Sequence, residues 1–168
     1  MKVYHGSTGI VRHPLVSVGR KNLDFGCGFY VTDLREQAVS WANRPYNQGL
    51  SQWLNIYEFD LEAAIHSGYK HLHFTAYDYR WLEFVVGNRR GEELWKGFDV
   101  IEGGIANDRV FNTIELYAAG LTPREEALAK LQYEQPNNQL CLLNQKMVDL
   151  YLHFMDAEEV TVSSTKGV

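Results

Sequence analysis

Residues 53–59, Trp-Leu-Asn-Ile-Tyr-Glu-Phe, interleave apolar, mostly aromatic and branched positions with single polar ones at 55 and 58, which reads as a half-buried strand. Shorter β-branched and aromatic runs predict further strands at 2–5, after Gly28, and at 71–74, 99–101, 139–143 and 151–154. Apolar residues at helical spacing fill the stretches between them. A helix over 34–43 places Ala38, Trp41 and Ala42 on one face, with Thr32 or Asp33 as its cap and Glu36 in its first turn. A second helix, over 78–88, buries Trp81, Leu82, Val85 and Val86. A third starts at Asn107 or Asp108 and stops at Gly120. Thr122-Pro123-Arg124-Glu125 opens a fourth, reading as a cap, a first-position proline and an acidic residue three after the cap. Residues 146–149 read as a short helical turn. Strands cluster at both ends and helices lie between, so the pattern predicts an α+β fold rather than a regular parallel α/β one. Residues 1–156 read as a single domain, and 157–168, ending in small polar residues, as a flexible tail.

The segment Asp24-Phe25-Gly26-Cys27-Gly28-Phe29-Tyr30-Val31-Thr32 joins a glycine turn to a strand. Two glycines bracketing one residue let the backbone bend and approach a ligand closely. Tyr30 then puts a flat ring where a flat ligand can lie against it. Phe25, Phe29 and Tyr30 equally suit a plain core. The loop over 8–23 holds Pro14, Gly19 and three cations, Arg12, Arg20 and Lys21. Such a loop can fold over a ligand and offer charge to a phosphate. His71 and His73 face one side of a strand, but no nearby cysteine or carboxylate cluster accompanies them, so no metal site is expected.

Composition acts mainly by exclusion. A chain of 168 residues with 45% hydrophobic and 22% charged positions suits one domain with a core of its own. A formal net charge of -5 leaves no broad basic face for duplex nucleic acid. Cys27 and Cys141 are too few for a disulfide framework or a cysteine zinc site. No signal-like apolar stretch opens the sequence, and no run reaches the roughly 18 apolar residues of a membrane helix, so no membrane partner and a cytoplasmic location are expected. Walker, dinucleotide-glycine and Ser/His/Asp or Cys/His nucleophile signatures are missing.

Tyr4-His5-Gly6-Ser7, followed by residues 24–32 with Gln37-Ala38 and Trp41-Ala42, resembles the ADP-ribosyltransferase superfamily. The resemblance is to the diphtheria-toxin and poly(ADP-ribose) polymerase branch with its His-Tyr-Glu pattern, and more narrowly to a bacterial family of unknown function within it. It continues through Trp81-Leu82-Glu83-Phe84-Val85, Asn107-Asp108-Arg109-Val110 and Asn138-Gln139-Leu140, covering the chain to about Phe154. It implies a split pair of antiparallel sheets around a cleft for NAD, the substrate. By that resemblance His5 binds the adenosine ribose, Gly6 offers backbone to the nicotinamide carboxamide, Ser7 assists the ribose, and Tyr30 stacks on nicotinamide. Gly28 belongs to the same cofactor-binding set, and Arg20 (or Arg12) is expected at the pyrophosphate.

Gln139 stands where the superfamily has its catalytic carboxylate. An amide still bonds a ribose hydroxyl but brings no full charge to the developing cation. The implied function is an NAD-dependent mono-ADP-ribosyltransferase with a macromolecular acceptor, a toxin of a bacterial toxin–antitoxin pair with a small antitoxin protein as partner, or an effector. NAD glycohydrolase is the close variant. A non-catalytic NAD, ADP-ribose or protein-binding module is the rival that Gln139 favours.

Overall fold

The computed structural model describes residues 1–160. Seven strands and six α-helices form two small sheets with helices packed around them. The first sheet has the order β1 (Lys2–Ser7), β3 (Trp53–Phe59), β7 (Leu152–Glu159), all antiparallel. The second has the order β2 (Phe29–Val31), β6 (Asn138–Leu142), β5 (Val100–Gly104), β4 (His71–His73), with only β4 and β5 parallel. The α+β expectation therefore holds, as two mostly antiparallel sheets. Among the described residues no helix is long and apolar enough to cross a membrane.

One pair of residues stitches the sheets together. Tyr4 on β1 and Thr32 beyond β2 exchange both backbone hydrogen bonds, at 2.8 and 3.0 Å. In an antiparallel ladder the next such exchange would join Gly6 to Tyr30. It is not made; the strands part there, and a cleft opens between them. Two apolar clusters lie below. Val3, Phe29, Val31, Tyr57 and Phe59 belong to one, and Phe25, Trp81, Leu82, Ile101 and Ile114 to the other. Alternation along β6 sends Leu140 and Leu142 to the first and Cys141 to the second.

The helices are α1 (Arg35–Ala42), α2 (Leu61–His66), α3 (Tyr79–Arg89), α4 (Asp108–Ala118), α5 (Arg124–Leu131) and α6 (Gln145–Tyr151). Asp78 caps α3 by accepting from the Trp81 amide, and Asn107 caps α4 by accepting from the Arg109 and Val110 amides. Several expectations are corrected. Thr32 does not cap α1: its hydroxyl accepts from the Leu34 amide and donates to the Asn138 carbonyl, bracing β2 against β6. Thr122 does not cap α5, which starts one residue later from Pro123. The strand at 53–59 is found as β3, the central strand of its sheet, and its Asn55 is fully buried. The helical turn at 146–149 extends into α6 over Gln145–Tyr151. The boundary at 156 also moves, because β7 pairs with β3 as far as Glu159. Residues 161–168 of the expected tail lie outside the described residues.

Candidate functional site

The gap between β1 and β2 leads into a cleft of about 580 Å³, within the range of small-molecule sites. His5, Gly6, Ser7, Gly28, Tyr30 and Gln139 all line it. Arg20 lines it too, on the loop that crosses its mouth. Arg12 does not; its guanidinium sits 4.8 Å from the Phe154 ring centre. So of the two arginines, only Arg20 is available to a ligand in the cleft.

The local structure explains how each group is held. His5 Nδ1 lies 2.7 Å from the Tyr30 carbonyl oxygen, the acceptor that a β1–β2 ladder would have used. A carbonyl only accepts, so Nδ1 carries the proton and Nε2 is left as an acceptor. Burial lowers the imidazole pKa to about 4; the Tyr30 carbonyl opposes that shift and the Arg44 charge adds to it. The ring is therefore neutral at pH 7. By two-residue alternation from Tyr4, the Gly6 N–H and C=O face the open edge. A side chain at Gly6 is excluded by α1, since a Cβ there would come within 1.8 Å of the Ala38 carbonyl oxygen. The Ser7 hydroxyl is already engaged, donating to the Gly9 carbonyl and accepting from Asn55 Nδ2.

Tyr30 closes the glycine turn on itself. Its hydroxyl donates to the Gly26 carbonyl at 2.8 Å and accepts from the Phe25 amide at 3.1 Å. Gly26 has φ of +96°, a conformation open to glycine, and the Trp95 ring occupies the space of its missing side chain. Burial raises the Tyr30 pKa well above its ordinary value, so the phenol stays a neutral donor. Both ends of the ring are thus fixed before any ligand arrives. Gln139 differs. It is 5% exposed and lines the cleft, yet its amide makes no hydrogen bond among the described residues.

A protein-family model, described as a protein of unknown function (DUF3990), matches residues 1–154. The chain belongs to the DUF3990 family. No curated protein and no solved structure matches it.

The DUF3990 chain also brings to the cleft groups that the sequence reading did not single out. Arg44 and Tyr46 flank Pro45 just after α1, and both line the cleft. Arg20 Nη2 and Arg44 Nη1 each donate to the Tyr46 hydroxyl, at 2.8 and 3.0 Å. Desolvation raises the Tyr46 pKa, but the two arginine hydrogen bonds and charges outweigh it and hold the phenol below its ordinary value. Neither arginine has a carboxylate partner among the described residues. Arg89, also in the cleft wall, is neutralised by Asp24 at 2.6 Å and Glu115 at 3.1 Å. One end of the cleft is therefore cationic in a chain of net charge -5.

The loop over 8–23 is pinned at several points. Asn55 Oδ1 accepts from the Val11 amide, Tyr57 donates to the Val11 carbonyl, and Gln145 Oε1 accepts from the Val16 amide. Cys27 Sγ donates to the Gly19 carbonyl, which holds the loop down beside Gly28. Away from the cleft, the reason given above for excluding a metal is overturned. A carboxylate does join His71 and His73: Glu102, from the neighbouring strand β5.

Proposed function

We propose that the cleft binds NAD and that the chain is an NAD-dependent mono-ADP-ribosyltransferase. The observation that carries this reading is Gln139: a nearly buried amide, unpartnered within the protein, opening into the same cleft as Tyr30 and His5. The amide spends none of its hydrogen-bonding capacity inside the protein and opens into the cleft, so a ligand hydroxyl there can bond it. Nicotinamide stacks on the Tyr30 ring, a favourable contact of about 1 kcal/mol or more for a cationic ring. Its carboxamide pairs with the free edge of Gly6. His5 Nε2 accepts from the adenosine ribose, and Arg20 with Arg44 exchange the Tyr46 phenol for the diphosphate oxygens.

In the reaction the bond between nicotinamide nitrogen and ribose C1′ breaks, and its electron pair leaves with nicotinamide. An acceptor nucleophile then bonds to C1′ and gives up its proton to solvent. The Gln139 amide oxygen accepts from the ribose hydroxyl and gains strength as positive charge develops on the sugar. An amide cannot take a proton at neutral pH, so Gln139 orients the sugar and does not act as a base. The toxin or effector role, the macromolecular acceptor and the small antitoxin partner belong to this same proposal, resting on the resemblance described above. The neutral Gln139 also favours a second reading, a binding module that holds NAD without turning it over.

Incubation of the chain with labelled NAD and a cell lysate tests the proposal. The expected result is label on a macromolecule together with released nicotinamide. Nicotinamide without labelled product makes the protein a glycohydrolase. Binding with neither product favours the module.

A further inference from the structure

The polar cluster on β4 and β5 stands outside the cleft, and none of its three members lines that cleft. His71 and His73 are two residues apart on one strand, so both rings leave the same face of the sheet. The parallel register places His73 opposite Glu102. The two rings are stacked, with centroids 5.5 Å apart and planes at 19°. His71 Nε2 is 2.9 Å from Glu102 Oε2, and His73 Nε2 is 3.9 Å from Glu102 Oε1. One donor atom from each residue lies within 4.8 Å of the other two.

A plain ion pair between His71 and Glu102 uses two of these groups and gives no reason for the third. His73 makes no hydrogen bond among the described residues, yet its Nε2 faces the carboxylate. We propose that His71, His73 and Glu102 bind one divalent transition-metal ion of the zinc class, with the remaining coordination open to water.

The donor set fits that class. Two imidazoles and one carboxylate suit zinc and its neighbours, whereas calcium and magnesium take oxygen alone. Metal bonds of about 2.1 Å at tetrahedral angles put donor atoms roughly 3.4 Å apart. The observed 2.9 and 3.9 Å, to the two oxygens of Glu102, straddle that separation, and no donor pair is more than 4.8 Å apart, so side-chain shifts of about an ångström assemble the site. Exposure is graded in the same sense: the side chains of His71 and Glu102 are 15% and 11% exposed, while that of His73 is 45% exposed. The protein closes one side and leaves the other as an entry path. Asn138 Nδ2 donates to Glu102 Oε1 at 2.8 Å, the outer hydrogen bond that orients a ligating carboxylate. The ion would tie β4, an edge strand of three residues, to β5 and to the start of β6. This inference is independent of what occupies the cleft.

The test is titration of the chelator-treated full chain, with Zn²⁺ by calorimetry and with Co²⁺ by visible absorption. One equivalent of each is expected, with Co²⁺ giving d–d bands of a low-coordinate nitrogen and oxygen site. His73→Ala and Glu102→Gln should weaken Zn²⁺ binding by more than the roughly ten- to hundredfold expected for Asn138→Ala. His73 is exposed, so its alanine variant should melt as the wild type does. His66→Ala, at the end of α2 and outside the cluster, should bind as the wild type does. No Zn²⁺ binding at micromolar concentration, or equal affinity and an unchanged Co²⁺ spectrum in His73→Ala, overturns the site.

Discussion

The two polar groupings of this fold are built on opposite principles. In the cleft, Gln139 is 5% exposed with no partner, and the edge of Gly6 is unpaired where β1 and β2 separate. On β4 and β5, Glu102 is 8% exposed but is bonded by His71 and Asn138. Groups that satisfy one another contribute to stability; an amide with no internal partner keeps its hydrogen-bonding capacity for whatever enters the cleft. The difference teaches which measurement each cluster should answer to: ligand binding and turnover for the first, and stability and metal for the second.

The largest effect should come from crossing the two. Gln139→Ala should lower nicotinamide release by roughly tenfold to a thousandfold, the range lost with one preorganised hydrogen-bonding group. Its stability should fall by only about 1 kcal/mol, because no internal hydrogen bond is lost. Glu102→Ala should do the reverse in metal-free protein, leaving His71 and Asn138 without an acceptor at about 2–3 kcal/mol. Urea denaturation of both variants beside a nicotinamide assay checks the crossing. Equal turnover in wild type and Gln139→Ala would make Gln139 a structural residue and erase the contrast.

Tyr30 sharpens the comparison, because it combines both principles in one side chain. Tyr30→Phe keeps the ring and removes the hydroxyl that joins Phe25 to Gly26, at about 1 kcal/mol of stability. NAD affinity should change only a few-fold. Tyr30→Ala removes the stacking face as well and should weaken NAD by a further 1–2 kcal/mol or about five- to thirtyfold. Calorimetry on the two variants separates ring from hydroxyl.

Arg20→Ala and Arg44→Ala should each weaken NAD by about 1 kcal/mol, since the pair is partly solvated, and should flatten its salt dependence. Affinity measured across a salt series checks this. If both variants leave affinity and salt dependence unchanged, the cationic end of the cleft serves only Tyr46.

The last effect is on pH, and it does not involve a ligand. The folded His5 takes a proton only near pH 4, while the unfolded chain takes it near 6.5. Between those values the unfolded state binds more protons, so stability falls as pH drops through the window and is fully present above it. His5→Gln should remove that part of the fall. Denaturation midpoints at pH 4.5 and 7 in both proteins decide it.

Much of this was legible because it is local. The Gly26-Cys27-Gly28-Phe29-Tyr30 run carries its own turn and strand, and the Asn107 start lies beside the helix it opens. Helix α2 escaped because six residues behind Asp60 are too few to show a period. Glu102 was missed as a partner of His71 and His73 because sheet order, not sequence distance, sets that contact. Arg44 was missed because nothing in the sequence around Pro45 shows that the chain between α1 and β3 returns to the cleft there. Asn55 was not singled out because a lone amide on a strand gives no sign that it will hold a loop 44 residues away.

The most direct test of the central claim is a calorimetric titration of NAD into the wild-type chain and into folded Tyr30→Ala. The predicted result is one NAD per chain, with clearly weaker binding in the variant. No heat of binding in the wild type, or equal affinity in the two proteins, would contradict an NAD cleft built on His5, Tyr30 and Gln139.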